Sequence, residues 1–294
     1  LPTNTSKIIN QNTPGLSDEV VFSRNSIGLR GENPPEDLEN YLSIITLGGS
    51  TTACALQSDD NTWTHHFGEN LKADFNKIWV NNGGIDGLSS IGQTAFFPDV
   101  IVKIHPKVAI FSISVNDVGL FGSVKFDARL FFDRKLSDET RFENIYQSGI
   151  ITFIDNLRRA YKAKKSGLTH DEGGFFRQDH ITLNDAQKQE IIASVSESLT
   201  QYESRVRWLV HEARRFEIEP ILVTEPTVLG DIIDKTTGVS LATIKHRGMN
   251  GAAYWDVLQS YHQVLKKVGA EEGVKVIDMG AKMPKDSLYF YDAY

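Results

Sequence analysis

The chain has 294 residues, 40% of them apolar, and its 31 Lys and Arg against 38 Asp and Glu leave a net charge of −7. That balance suits a globular chain with a substantial core and speaks against a nucleic-acid binder, which presents a basic face. No apolar run approaches the roughly 18 residues of a membrane span, and with Cys54 as the single cysteine an intrachain disulfide is excluded and the redox compartment stays open.

Residues 1–41 are polar and turn-rich ("NTSKIINQNTPG", "GENPPED") and read as an extended N-terminal arm on the domain formed by residues 42–294. Their opening Leu is compatible with an upstream segment, a signal peptide or anchor among them, or with simple trimming. "YLSIITLGG" is a short apolar run ending in glycine, which predicts a buried strand over about 42–47. Asn61 is a candidate cap for a helix carrying Trp63, Phe67 and Leu71 at four-residue spacing. "KIWVNNGG" predicts a second strand entering a glycine turn. Residues 90–103 read as helical, with a break at Pro98. "KVAIFSISVND" is the third and most apolar strand.

Residues 117–146 mix five Phe with charge and follow neither period; they are expected either to pack a small core of their own or to wall a ligand pocket. A helix is predicted over 149–164, a loop over "SGLTHDEGGFFRQDH", and a long helix from Thr182 or Asn184 to about 216, broken once. "EPILVTEP" is strand four, "GAAYWDVLQSYHQVLKKVGAEEG" a helix, and "VKVIDM" strand five. Nearly continuous apolar strands alternating with helices predict a five-stranded parallel sheet in an α/β/α sandwich of flavodoxin-like order, with an insertion at about 118–183.

In such sheets ligands bind beyond the C-terminal strand ends. Those ends carry Gly48-Gly49-Ser50-Thr51-Thr52, then Asn82-Gly83-Gly84-Ile85-Asp86-Gly87, then Ser114-Val115-Asn116-Asp117, then Thr224-Glu225-Pro226. A serine hydroxyl becomes a useful nucleophile only with a base to take its proton and donors to hold the oxyanion. Ser50 sits where a strand turns into a helix and is either a helix cap or that nucleophile. Its own N–H, the N–H of Gly87 and the side-chain amide of Asn116 are the candidate oxyanion donors. Asp117 reads as structural, holding its loop from within. A phosphate loop is disfavoured, because "GGSTT" lacks the lysine and spacing of that motif.

"TLGGSTT", "NNGGIDG" and "SVND", in this order and each after a strand, resemble the nucleophile, glycine and Asn blocks of the SGNH (GDSL-like) hydrolases. Gly-Gly-Ser replaces Gly-Asp-Ser in the first block, and Ser114 stands at the head of the third. The resemblance spans roughly residues 25 to 294 and includes "NSIGLRG", "TEPTVLGD" and "VIDM", which look like the larger, exported members. It implies that Ser50 is the nucleophile and that Asp292 opens the Asp-x-x-His block, its histidine falling next after Tyr294. A sequence continuing beyond Tyr294 is therefore expected; a true stop there would leave a module that binds without hydrolysing. The implied activity is a serine esterase acting on a small acyl ester, such as O-acetyl groups of a cell-envelope glycan, with no metal or cofactor and an extracytoplasmic or membrane-anchored setting. An inactive glycan- or lipid-binding module and an O-acyltransferase are the alternatives.

The eight histidines offer no metal spacing. His65 and His66 read as surface or packing residues, His105 lies in a loop before strand three, His170 and His180 flank the insertion loop with Asp171, Glu172 and Asp179, where a metal site is disfavoured for want of that spacing, and His211, His246 and His262 have no evident partner. Cys54 reads as a small buried hydrophobe.

Overall fold

The computed structural model describes residues 1–13, 15–118 and 179–294. The readings made for the Phe-rich stretch, the 149–164 helix and His170 lie outside the described residues. Two strands, β1 (Thr5–Asn10) and β2 (Glu19–Arg24), pair antiparallel near the N-terminus. This is a hairpin that the turn-rich reading of the arm did not anticipate, because its side chains are mostly exposed and leave no core signal. Next come β3 (Leu42–Gly48), the short helix α1 (Ser50–Ala53), α2 (Trp63–Leu71), β4 (Ile78–Asn82) and α3 (Ser90–Phe96). A single π-type turn at Phe97–Ile101 then leads into α4 (Val102–Ile104) and β5 (Val108–Ser112). The break expected at Pro98 takes the form of that wide turn, since proline has no N–H to continue the helical ladder.

After the insertion come α5 (Asp185–Ser194), α6 (Ser196–Arg215) and β6 (Glu219–Val223). Asn184 and Gln187 form a reciprocal capping box on α5, and the single break falls at Val195. The short pair β7 (Lys245–His246) and β8 (Met249–Asn250) precedes α7 (Gly251–Glu272), β9 (Lys275–Ile277) and α8 (Met279–Lys282).

The main sheet runs β4-β3-β5-β6-β9, every neighbouring pair parallel. Numbered along the chain, its strands lie in the order 2-1-3-4-5, as expected. Ser43, Ile44, Ile45, Thr46 and Leu47 are all buried, so both faces of β3 are covered. This is why the strand shows no polar alternation. The core runs through Phe96, Phe97, Phe111, Leu209, Tyr254 and Leu265, each such side chain contributing roughly 1.5–3 kcal/mol by leaving water. Tyr202 of α6 donates its hydroxyl hydrogen to the Ile113 carbonyl at 2.7 Å, tying that helix to the end of β5.

The reading of α2 needs two corrections. Its cap is Thr62, whose hydroxyl accepts from the His65 N–H, and its buried face carries Thr64 and Gly68 rather than Trp63, Phe67 and Leu71. A Cβ on Gly68 would stand 3.2 Å from Val80 Cβ, so the helix lies close on β4 through its glycine, and the bulky residues sit toward the periphery. Among the described residues no helix is long and apolar enough to cross a membrane.

Candidate active site

Ser50 is the first residue of α1, immediately after β3 and Gly49. Neither its N–H nor its hydroxyl has a partner among the described residues. The turn around it is too close for side chains. A Cβ on Gly49 would fall 2.1 Å from Asn116 Nδ2, and one on Gly84 would fall 2.2 Å from the Ala53 nitrogen. The glycine loop after β4 thus lies directly on α1, and the Asn116 amide lies directly on the peptide that precedes the serine.

Asn116 is 8% exposed and donates one amide hydrogen to the Leu88 carbonyl at 3.1 Å. A carboxamide has two N–H groups, so the second is left for a ligand. The neighbouring Gly87 adopts φ +75°, a left-handed conformation that glycine reaches without strain, and its N–H has no acceptor among the described residues. The structure therefore sets the Asn116 amide against the Gly49–Ser50 turn, with Leu88, next to Gly87, bonded to that amide; Ser50, Gly87 and Asn116 each keep a donor unengaged among the described residues. What such a cluster can do chemically is hold a developing negative oxygen beside a hydroxyl.

Asp292, the fourth, is 5% exposed, and its Oδ1 accepts from the Tyr294 N–H at 2.8 Å. The Ala293 carbonyl accepts from the Thr227 hydroxyl at 2.6 Å and the Val228 N–H at 3.1 Å, which fixes the tail to the loop after β6. Burial pushes the Tyr291 phenol above its usual range, and the Asp292, Cys54 and Asp86 side chains add to that push. The tail therefore approaches α1 and the glycine loop. No hydrogen bond joins Asp292 to Ser50.

Among the described residues no imidazole bonds to Ser50. His246 Nε2 lies 2.5 Å from the Tyr294 hydroxyl, and its ring packs edge-on against Tyr254; burial lowers it to about 3. His211 pairs with Glu272, and His180 with the Thr243 hydroxyl. His262, 1% exposed, is lowered to about 4 by burial. Cys54 closes α1 in a left-handed conformation, with its thiol pushed up to about 11 by burial, as suits a packing residue. Among the described residues no group of three or more His, Cys, Asp or Glu side chains is arranged to hold a metal ion.

Two residues around the site had no role in the sequence reading. Arg30 is 4% exposed and donates to the Ala53 carbonyl at 2.6 Å, the Cys54 carbonyl at 2.8 Å and the Gln57 carbonyl, while its Nε meets Asp59 at 2.5 Å. It satisfies the carbonyls at the C-terminal end of α1, which such a short helix cannot bond internally. Glu225, 2% exposed, accepts from the Thr51 hydroxyl at 2.7 Å, the Ser114 hydroxyl at 3.2 Å and the Val115 N–H at 2.7 Å. The sequence offered one hint of it, a charged residue directly behind an apolar strand. Asp117 is structural, but it reaches out of its loop and does not hold it from within: its carboxylate accepts from the Ser90 N–H and hydroxyl of α3 at 3.0 and 2.5 Å, with Arg205 of α6 3.4 Å away.

No family model matches the sequence, and no curated protein matches it. Several solved structures do share its general course. Axe2, an acetylxylan esterase from Geobacillus stearothermophilus, is 15% identical, with 81% of this chain and 76% of that chain covered at a TM-score of 0.43. The acetyl xylan esterase AlAXEase is 14% identical over 81% and 78% of the two chains, at 0.44. A putative lipolytic protein of the G-D-S-L family from Desulfitobacterium hafniense DCB-2 is 10% identical over 81% and 77%, at 0.41. With likenesses this distant, the functional reading stands on the chain's own residues.

Proposed function

We propose that the chain is a serine ester hydrolase of the SGNH type, acting on a small acyl ester. The observation that carries this reading is the contact of the Asn116 amide with Gly49, which sets an uncharged donor beside the turn bearing an unbonded Ser50 hydroxyl. In the proposed reaction, Ser50 Oγ bonds to the ester carbonyl carbon while an imidazole takes its proton. The carbonyl oxygen becomes an oxyanion, held by the N–H groups of Ser50 and Gly87 and by Asn116. The ester C–O bond then breaks, and the leaving alkoxide receives the proton from the imidazolium. Water attacks the acyl-serine, the base takes and returns a proton, and the acid departs. Asp292 orients the imidazole, which the motif resemblance assigns to a histidine next after Tyr294. The same resemblance makes an O-acetylated envelope glycan, outside the cytoplasm, the favoured substrate, and no cofactor enters the scheme.

Labelling with a fluorophosphonate, which reports an activated serine, tests the proposal. Residues 1–294, the same chain continued past Tyr294 with a histidine next, and the continued chain carrying Ser50→Ala are compared. The expected result is labelling of the continued chain only, reduced by about 10⁴-fold or more in the alanine variant. A continued chain that does not label leaves the binding-module reading in its place.

A further inference from the structure

The two loops that supply the reacting groups come from different strands, and one buried carboxylate joins them. Thr51, next to the proposed nucleophile, bonds Glu225 Oε1, while Ser114 and the Val115 N–H, next to the proposed oxyanion donor, bond Oε2. We propose that Glu225 is a positioning residue that sets the distance between the Ser50 turn and the Asn116 amide. This inference rests on the hydrolase reading above.

The geometry favours that role over simple packing. A carboxylate is an acceptor-only group with two oxygens on one rigid plane, so its three donors fix the separation of the two loops. The opposite flank of the Asn116 loop is held by Arg247, which donates to the Val115 carbonyl at 2.7 Å and the Val118 carbonyl at 2.6 Å. Asn116 therefore stands between two clamps, and only the Glu225 clamp also grips the serine turn. Burying a carboxylate is costly unless its hydrogen bonds are made; here desolvation pushes Glu225 upward and the three donors oppose that push. The two loops are thereby ordered with respect to each other before any ligand arrives, and oxyanion stabilisation depends on such preorganisation.

The experiment measures the second-order rate of fluorophosphonate labelling in the continued chain, together with amide hydrogen exchange across residues 50–54 and 114–118. Glu225→Ala is expected to lower the labelling rate by about 100-fold and to speed exchange of the Val115 amide. Glu225→Gln keeps an acceptor for Val115 and a partner for the rotatable Thr51 hydroxyl, so it is expected to return the rate to within about 3-fold. In an Asn116→Ala background, removing Glu225 should cost less than about 5-fold more, because both changes disable one arrangement. A full loss that persists in that background overturns the proposal, as does a folded alanine variant that labels within about 3-fold of the parent. If Glu225→Ala does not fold, Thr51→Val and Ser114→Ala each remove one leg and should each slow labelling by about 3- to 10-fold; no effect from either overturns the proposal. If the parent itself does not label, the hydrolase reading fails, and exchange alone decides the clamp: a Val115 amide protected equally with and without Glu225 removes it.

Discussion

The two halves of the functional edge are built by different means. Behind β3 and β4 the chain packs closely around Gly48, Gly49 and Gly84, where a Cβ would collide with the Thr52 side chain, the Asn116 amide and the Thr52–Ala53 backbone respectively. Behind β6 and β9 the loops are long, and polar side chains hold them. Asp234 accepts from the Ser287 N–H and hydroxyl at 2.9 and 2.7 Å, Asp278 from the Thr224 hydroxyl at 2.8 Å, and Lys285 donates to the Thr227 and Leu229 carbonyls at 2.8 and 2.5 Å. Close approach at glycines marks the first half and is absent from the bonds just named in the second, so the two should fail in different ways.

The sharpest way to break this comparison is Gly84→Ala. Its Cβ would meet backbone atoms of Thr52 and Ala53, which have no rotamer with which to yield. We expect a loss of about 4 kcal/mol in urea unfolding, with hydrogen exchange rising first in residues 50–54; a loss below about 1 kcal/mol would show that the front half is as adaptable as the back. A somewhat smaller effect is expected from Arg30→Met, which keeps the apolar stem but removes the guanidinium from three carbonyls and Asp59, leaving the Cys54 carbonyl only the Gln57 N–H and Asp59 only Ser23. About 3 kcal/mol should be lost, and phosphonate labelling should fall with it, because the carbonyls concerned belong to α1 and the turn after it.

The back half supplies a pH signature of smaller size. His262 lies beneath Gly280 and faces Asp278, Lys266 and Lys285; burial holds it at about 4, against an ordinary 6.5. The folded state therefore keeps the neutral imidazole while the unfolded chain takes up a proton. Its contribution is complete above about pH 6.5, falls as the pH drops toward 4, and levels off below that, with about 2 kcal/mol gone by pH 5. Urea midpoints measured from pH 7 to 4 should follow this limb, and His262→Gln should flatten it by one proton. An unchanged slope would mean that the imidazole is already charged in the folded state.

How much of this was legible in the sequence follows the same division. Strands with both faces buried are continuous apolar runs, so β3, β4, β5, β6 and β9 and their order could be read directly, and the glycines and Asn116 stand next to strand ends where position alone gives them meaning. Arg30 and Glu225 are different. Their partners lie 23 to 29 residues away for Arg30, and 110 to 174 residues away for Glu225. Periodicity carries no information about such pairs. The α2 helix misled for a local reason: large apolar residues at helical spacing outweighed a glycine, although the glycine allowed the closer approach to the sheet.

The segment carrying Arg30 has one more effect, on how molecules meet each other. β4 is the outermost strand of the main sheet, and along its free side the Arg30 and Asn82 backbones exchange two hydrogen bonds, at 2.9 and 2.8 Å, while Trp79 donates its indole N–H to the Glu32 and Asn33 carbonyls at 3.1 Å each. An uncovered strand of this kind is a template on which a second chain can add. The sheet's other border needs less protection, since β9 is three residues long and begins with an exposed lysine. Residues 25–33 thus occupy the end of this edge at Asn82, and the arginine that braces the serine turn is the residue that pairs there.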